Sequence, residues 1–498
     1  MGIIAKQSIK GTIVTYLGVA IGFVTTFFVL THFLTTEEVG LVRVLIDAAT
    51  LLASLASLGT GSSIIRFYPY FRNSGEDGKS DSGFFFFTVL VPLIGFAGFA
   101  LLYGLCYAPL SAWFAEKSPM FVEYYYLVLP MAFFLLYQTI FETNANVLMR
   151  IVVPRFVREV VTRLGLLTVY LLYAFDVLSL NGLVISLCGV YGVCALINIA
   201  YLLSLDRVSF RPDMRFVKAH PEVVRKYILY TGFLIVSTLT SVLAPTLSSF
   251  FITAQMGLNY TGIFAVATYM AVMVSIPYRS LNAIAAPQLA AALKDDDRAQ
   301  ASSLMQQCAN NLLLIGGLIL LVMWVNIDLI YTILPNGETY AAARSTVFVL
   351  ALSQLIMACF NITLSALNYS KYYAFTLLYS FLLTGGAIVL NNLLIPRWGM
   401  EGAAMSNLLS YAFYFLCIVI TIGMTLHIHP FCRSQLMTVG LLIGVLILNY
   451  VWLTYWPIEN IWLSAVLRSV VLLGGACWAA YKLNISTEIN ALLHHIRL

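Results

Sequence analysis

Charge is what this chain of 498 residues has least of. Asp, Glu, Lys and Arg together make up 10% of it, whereas apolar residues make up 61%. A soluble domain carries about 25% charged residues, because charge covers its surface. So small a charged fraction excludes a soluble globular protein and indicates that lipid surrounds most of the chain.

Motifs that carry chemistry are also missing. The eight cysteines are scattered without a CxxC pair or metal-ligand spacing, and most lie inside apolar segments, where they act as small packing residues. No basic run resembles a nucleic-acid-binding patch, and no P-loop or Ser/His/Asp pattern appears. We therefore expect no enzyme activity, no metal, no cofactor and no nucleic-acid partner.

What the chain has instead is a series of apolar stretches long enough to cross a membrane, which takes about 20 residues. They predict an all-α, polytopic membrane protein with about fourteen transmembrane helices. The predicted spans lie near 12–33, 41–65, 83–106, 121–148, 158–177, 182–205, 227–253, 261–284, 308–330, 342–368, 373–395, 401–426, 436–456 and 461–482. Connections are short, the longest being 66–82, 206–226 and 285–307.

The two halves of the chain repeat one another. "TTEEVGLV" after the first span resembles "GLNYTGIF" after the seventh, and "LNGLVIS" entering the sixth resembles "MEGAAMS" entering the twelfth. Gly40 and Gly182 are 142 residues apart, and Gly262 and Gly402 are 140 residues apart. Six spans per repeat is an even number, so both halves share one orientation.

This repeat predicts three domains. Residues 1–226 form an N-terminal six-helix bundle, and residues 227–435 form a C-terminal six-helix bundle. Residues 436–498 add two transmembrane helices and a tail outside the repeat.

The positions of Lys and Arg predict the orientation, because cytoplasmic loops carry the excess of both. With the N-terminus inside, all but five of the 27 basic residues fall at cytoplasmic ends and loops. The five exceptions are Arg43, Lys117, Arg344, Arg397 and Arg468. Both termini are therefore expected in the cytoplasm, and a bacterial inner membrane is the expected location.

Two segments resemble a known family. "NNLLIPRWGMEGAAMSNLLSY" (residues 391–411) is similar to the corresponding segment of the polysaccharide-flippase branch of the multidrug/oligosaccharidyl-lipid/polysaccharide exporter superfamily. The opening, "KGTIVTYLGVAIGF" through "EEVGLVRVL" and "LGTGSSIIRFYPYF", resembles the N-terminal part of that family. The resemblance implies alternating access between two six-helix halves. The implied substrate is a polyprenyl-diphosphate-linked oligosaccharide, such as an O-antigen unit, bound in the central cleft.

Polar residues inside the spans are candidates for that cleft, because they are costly in lipid. The fourth span and its repeat counterpart, the tenth, each carry several of them on one helical face. These candidate substrate-binding residues are Gln138, Glu142 and Asn146, and Gln354, Asn361 and Asn368. They either line a hydrated cavity between the halves or hydrogen-bond between helices.

Buried cations are the other candidates, because a diphosphate in a low-dielectric cleft needs positive charge. Arg279, in the inner half of the eighth span, is the first choice for this anion site, and Arg66, at the cytoplasmic end of the second, is the next. Their alternative role is positive-inside anchoring. Arg43 and Asp47 are spaced for either substrate contact or a local ion pair. Pro245 bisects the seventh span and is a candidate hinge.

Other functions remain as alternatives. A lipid II flippase of the same superfamily carries arginines within its first span, and this chain carries only Lys6 and Lys10 before its own. A cation-coupled multidrug exporter typically carries carboxylates in the first or seventh span, and here both lack Asp and Glu. A sugar polymerase would need a larger outer loop, and a scaffold would not need buried charges. The expected partners are the lipid-linked substrate, membrane lipids and a possible coupling cation, H+ or Na+, with the protein a monomer.

The orientation is testable by cysteine-accessibility labelling. We expect residues introduced within 71–82 and 206–222 to react with reagent from the cytoplasm, and residues within 114–119 and 457–460 from outside. The reversed pattern would contradict the charge argument and the direction of transport with it.

Overall fold

The structure, a computed structural model, describes residues 3–71, 84–205, 222, 243, 246–456, 458–483 and 485. Every regular element in these residues is helical, which confirms the all-α class. The chain divides into two compact units, residues 1–262 (unit 1) and 263–498 (unit 2). This division does not test the predicted bundles, 1–226 and 227–435 with the added helices over 436–498, and they stay a prediction.

Unit 1 is a helical bundle centred on one long helix. Among the described residues, its α-helices with defined bounds and at least eight residues are α1 (Ile3–Val24), α2 (Thr36–Ala56), α3 (Thr60–Phe71), α4 (Phe84–Leu105), α5 (Tyr107–Ala115), α6 (Val128–Val147), α7 (Thr162–Ala174) and α8 (Leu180–Leu203). Residues 246–255 are helical as well. Helix α6 packs against α2, α3, α4 and α8. Its apolar residues at helical spacing, such as Met131, Leu136 and Ile140, are buried in the core.

Unit 2 is built in the same way. Helix α9 (Leu258–Val272) begins in unit 1 and continues into unit 2, where α10 (Ile276–Lys294), α11 (Arg298–Val325), α12 (Arg344–Tyr369), α13 (Ala374–Leu426), α14 (Arg433–Tyr455), α15 (Ile461–Arg468) and α16 (Gly474–Lys482) follow. Helix α12 packs against α10, α11 and α13, and α11 also contacts α14. The fourth and tenth predicted spans, α6 and α12, are therefore the central helices of their units.

Eleven helices in the described ranges are long and apolar enough to cross a membrane, which makes the chain a multi-pass membrane protein. One of them, α13, is bent at Gly399 (φ 58°, ψ −134°) and contains both the eleventh and the twelfth predicted spans. The fifth span is helical over 152–174, with a π-helical turn at Val157–Val161. Most of the seventh lies outside the described residues, as does Pro245, so the count of fourteen stays a prediction.

Two predicted boundaries are wrong. The second span is not one helix, because α2 ends at Ala56 and α3 begins at Thr60, with left-handed backbone at Leu58 (φ 49°) and Gly59 (φ 69°) between them. The connection predicted over 285–307 is mostly helix, and only residues 295–297 separate α10 from α11. Hydropathy marks where a chain leaves the lipid, whereas the alanine-rich sequence continues the helices beyond it.

The two glycines that the repeat aligns, Gly40 and Gly262, lie where α2 meets the first turn of α9 within unit 1. A Cβ at Gly40 would lie 2.0 Å from the carbonyl oxygen of Leu258, and one at Gly262 would lie 1.9 Å from the carbonyl oxygen of Thr36. Thr36 also hydrogen-bonds to the Asn259 side chain. The two backbones are in direct contact, which only glycine permits at these positions.

This contact is testable by stability. We expect Gly40→Ala and Gly262→Ala each to destabilise the protein by about 1–3 kcal/mol, because the added methyl group has no space. The measurement is the melting temperature of the purified protein in detergent. Gly98→Ala in α4 is the control, since no atom of the described residues lies within 4 Å of a Cβ there. Wild-type melting of Gly40→Ala would contradict the backbone contact.

Candidate functional site

The polar face of α6 contacts the neighbouring helices of unit 1. Gln138 is 4% exposed, and its Nε2 donates to Oγ1 of Thr162 on α7 at 3.1 Å. Thr162 in turn lies 3.2 Å from Sγ of Cys194 on α8. The alternative role, hydrogen bonding between helices, is therefore confirmed for Gln138. Its lining of a hydrated cavity between the halves stays a prediction.

One helical turn further along α6, Glu142 enters a network of four charged side chains. Nη1 of Arg158 lies 2.8 Å from Oε1 of Glu142, and Nη2 of the same arginine lies 3.2 Å from Oε1 of Glu159. Nη2 of Arg163 lies 3.1 Å from Oε2 of Glu159. The two carboxylates are buried, at 8% and 9% side-chain exposure, whereas Arg158 is 48% and Arg163 30% exposed. The network is formally neutral, as burial in lipid requires.

The local backbone brings these groups together. Arg158 and Glu159 lie in the π-helical turn Val157–Val161, and π-helical turns are frequent at functional sites. Helix α1 contacts the network through two glycines. A Cβ at Gly18 would lie 2.5 Å from the carbonyl oxygen of Glu159, and one at Gly22 would lie 2.5 Å from Nη1 of Arg163. Arg163 donates to the carbonyl oxygen of Gly18, so α1 helps to hold it.

Three further amides lie on α6 and α8. Asn144 on α6 hydrogen-bonds to Thr88 on α4 at 3.1 Å. Asn146, a predicted site residue, is partly buried, and its Oδ1 has no hydrogen-bond partner within the ranges that the structure describes. Asn198, one turn beyond Cys194 on α8, is 1% exposed, and neither of its amide atoms has a partner there. Asn146 and Asn198 therefore have unused hydrogen-bonding capacity within the described residues.

Arg43 and Asp47 form the local ion pair that their spacing allows. Nε of Arg43 lies 2.9 Å from Oδ2 of Asp47, whose side chain is 9% exposed. The arginine screens a carboxylate that would be costly to bury alone. Their contact with substrate stays a prediction.

The two arginines expected at the anion site are both exposed. Arg66 on α3 lies over the ring of Phe67, with 5.8 Å from Cζ to the ring centroid. Arg279 is on the first turn of α10, two residues after Pro277, which is the second residue of the helix. The assignment of the anion site to these two arginines stays a prediction.

The polar residues of α12 are less buried than those of α6. Gln354 and Asn361 are partly buried, and Nδ2 of Asn361 lies 3.5 Å from Sδ of Met357 on the same helix. Asn368 is exposed, and its Oδ1 accepts from Thr376 on α13 at 2.8 Å. The matching stripes of the two central helices therefore differ in structure: α6 has a charge network and α12 has neutral amides.

An additional arginine is buried in the helices outside the repeat. Arg468 on α15 is 2% exposed, with Nε 3.3 Å from the carbonyl oxygen of Ser464 and Nη1 3.5 Å from Oδ1 of Asn449 on α14. The carboxylate of Asp328 in the same unit pairs with Arg344 at 2.7 Å. The contact between Arg468 and Asn449 connects α15 to α14.

Unit 2 also contains a large apolar cavity of about 840 Å³. It lies between α11, α12 and α14, and Arg433 and Gln435 at the start of α14 are among the few polar residues in its wall. The apolar lining includes Leu313, Leu320, Phe348, Leu355, Phe360, Val439 and Leu446. An occupant of this cavity would be a hydrocarbon chain rather than a sugar.

Comparison with known proteins decides the family. The model of the family described as polysaccharide biosynthesis protein matches residues 4–290, more than half of the chain. The chain belongs to this family. The match includes the charge network of unit 1 and Arg279, and it confirms the family resemblance expected from the sequence. A search of curated proteins found no match.

Solved structures show that the chain shares its fold with a lipid II flippase and with multidrug resistance transporters. Lipid II flippase MurJ in an inward closed conformation matches with a TM-score of 0.68 at 11% identity, over 96% of this chain and 100% of the other. An inward-facing multidrug resistance MATE transporter of the MOP superfamily matches with 0.63 at 15% identity, over 82% and 95%. A mutant of the Vibrio cholerae MATE transporter VcmN matches with 0.56 at 14% identity, over 86% and 99%.

Sequence reasoning missed part of the site. Arg158 was counted among the cytoplasmic basic residues, and Glu159 and Arg163 were not candidates. The available signal was the i, i+4 spacing of Glu159 and Arg163 at the start of the fifth apolar stretch. Only the packing of α6 against this segment shows that Glu142 joins them.

The network predicts that Glu159 stabilises unit 1. Glu159→Ala leaves two arginines without their shared carboxylate. We expect a loss of roughly 2 kcal/mol, less than the 3–5 kcal/mol of a fully buried pair because the arginines are partly exposed. The measurement is the melting temperature in detergent, with the exposed Glu116→Ala as control. Equal melting of the two variants would show that the network adds no stability.

Proposed function

We propose that this protein is a flippase that moves polyprenyl-diphosphate-linked oligosaccharides, such as O-antigen units, from the cytoplasmic to the outer face of a bacterial inner membrane. The observation that carries the proposal is the family match over residues 4–290, on a fold that the lipid II flippase MurJ shares. Alternating access between the two halves would carry the substrate, and no chemical step is needed.

The protein has features suited to both the polyprenyl chain and the diphosphate of such a substrate. A polyprenyl chain needs apolar surroundings, and the cavity of unit 2 between α11, α12 and α14 has an almost wholly apolar lining. A diphosphate needs positive charge, and Arg66 and Arg279 are exposed residues. This division between hydrocarbon and anion favours a lipid-linked substrate over a soluble drug.

Arg279 is the first candidate for the diphosphate site. The substrate brings about two negative charges into a region of low dielectric, where an uncompensated charge is costly. Arg279 lies within the predicted eighth span rather than in a loop, and arginine binds phosphate oxygens through two N–H groups at once. Arg66 is the second candidate, at the cytoplasmic entrance.

Two related transport functions are the alternatives. A lipid II flippase is supported by the MurJ fold. A cation-coupled multidrug exporter is supported by the MATE folds. Transport assays with lipid II, with a polyprenyl-diphosphate oligosaccharide and with a cationic drug would separate the three.

The role of Arg279 is testable in cells. Arg279→Ala removes two charge-assisted hydrogen bonds of about 1.5–3 kcal/mol each, so we expect glycan export to fall by roughly a hundredfold or more. Arg279→Lys keeps the charge but loses the paired donors, and it should retain part of the export. The measurement is surface glycan per unit of membrane-inserted protein.

Arg298→Ala is the matched control, because Arg298 is exposed and pairs only with the nearby Asp296 in the described part of the chain. We expect it to export normally. Normal export by Arg279→Ala at normal abundance would move the diphosphate site elsewhere, with Arg66 as the next candidate.

A further inference from the structure

Arg158 combines an exposed cation with buried counter-charges. Its guanidinium is 48% exposed, whereas both of its carboxylate partners are less than 10% exposed. A guanidinium has five N–H donors. Three of the hydrogen bonds made by Arg158 go to Glu142 and Glu159, through Nη1, Nη2 and Nε. Within the described residues, one N–H on each terminal nitrogen has no acceptor, so the exposed side can bind an anion.

The two carboxylates are not equivalent. Glu159 contacts two arginines, Arg158 at 3.2 Å and Arg163 at 3.1 Å, whereas Glu142 forms an ion pair with Arg158 alone in the part of the chain that the structure describes. Glu159 therefore keeps Arg163 as an ion-pair partner when Arg158 engages another anion. If an anion competes for Arg158, Glu142 is the carboxylate that loses its ion-pair partner. It is therefore the group that a proton neutralises.

In the described part of the chain, the charged groups that act on Glu142 are Arg158, Arg155 and Glu159, all on the segment that packs against α6. Glu159 is the other carboxylate among them, and it has Arg163 as a second ion-pair partner. From the neighbouring helices, Cys194 of α8 lies 3.2 Å from Thr162, and Gly18 and Gly22 of α1 contact the segment. Helix α4 contributes Thr88, which is paired with Asn144.

We propose that Arg158 is an additional binding group for the phosphate groups of the anionic substrate, and that Glu142 takes up a proton when the anion binds. The inference rests on the proposed function for the identity of the ligand. Before binding, Glu142, Glu159, Arg158 and Arg163 sum to zero charge. Protonation of Glu142 leaves the four groups at one positive charge, which offsets part of the charge of the diphosphate.

Linkage fixes the sign of the pH dependence. Protonation removes one negative charge beside Arg158, so the anion binds more tightly as the pH falls through the range in which Glu142 takes up its proton. By reciprocity, anion binding draws a proton onto Glu142 by the same factor. The carboxylate of Glu142 and the anion therefore compete for one guanidinium, and protonation of Glu142 favours the anion.

The test measures binding and proton uptake rather than transport. The probe is a short-chain prenyl diphosphate carrying one sugar, because its two phosphates are esterified and keep their charges near neutral pH. Calorimetric titration of the full-length protein in nanodiscs would be run at several pH values and in buffers of different ionisation enthalpy. We expect wild-type affinity to rise about tenfold from the alkaline to the acidic end, with proton uptake on binding.

Two variants separate the roles. Glu142→Gln keeps an oxygen that accepts from Arg158 but has no charge. We expect it to bind at every pH as tightly as the acidic wild type, without proton uptake. Arg158→Gln should bind several-fold more weakly at every pH and should show no pH dependence. Glu116→Gln, an exposed carboxylate at 84%, is the matched control and should behave as wild type.

Infrared titration gives a second measurement that does not depend on the probe. A carboxylic acid shielded from water should appear on acidification of the wild type and be missing in Glu142→Gln. Wild-type pH dependence in Glu142→Gln, or wild-type affinity in Arg158→Gln, would overturn the inference. Probe binding by the wild type without any pH dependence would overturn it while leaving the proposed function standing. No probe binding at all would contradict both.

Discussion

A charged side chain buried in a membrane needs an oppositely charged partner, and the arrangement of unit 1 follows from this constraint. Lipid cannot solvate Glu142 or Glu159, so each is buried against arginine. The pairing joins α6 to the helical segment 152–174, and Arg163 extends it to the backbone of α1. The same ion pairs that make burial possible therefore also connect three helices. An arginine exposed on this network is held in place yet accessible to an anion.

The backbone obeys a parallel constraint, because every amide in lipid needs a partner. Long helices satisfy it, and they pack closely where side chains are absent. Gly40 and Gly262 allow α2 and the start of α9 to touch at their backbones, and Gly18 and Gly22 allow α1 to approach the charge network. In unit 1, glycines thus allow close contact between helices, and the ion pairs hold α6 and the segment 152–174 together.

The class of the protein, its transmembrane helices and its family were predictable, because composition, hydropathy and the segment around Asn391 each depend on local sequence. The central position of α6 and α12 was not predicted, since it depends on how the helices pack. The break at Leu58 and Gly59 was not predictable, since a hydropathy pattern continues through a left-handed turn. The charge network was predictable only in part. Glu142 was a candidate from the sequence, but Arg158 was assigned to the cytoplasmic basic residues, because the positive-inside rule does not distinguish a paired arginine from an anchoring one.

The sequence by itself determined that this chain is a membrane protein, and it predicted that its two halves are related and that its few charges have specific positions. These follow from one-dimensional properties: the fraction of apolar residues, their run lengths and the spacing of glycines. Tertiary structure decided which charges meet. Glu142 and Arg158 lie on different helices, and their pairing depends on a π-helical turn and on glycines of α1 that are distant in the chain. Pairing in lipid is a property of packed surfaces, and only the folded chain brings those surfaces together.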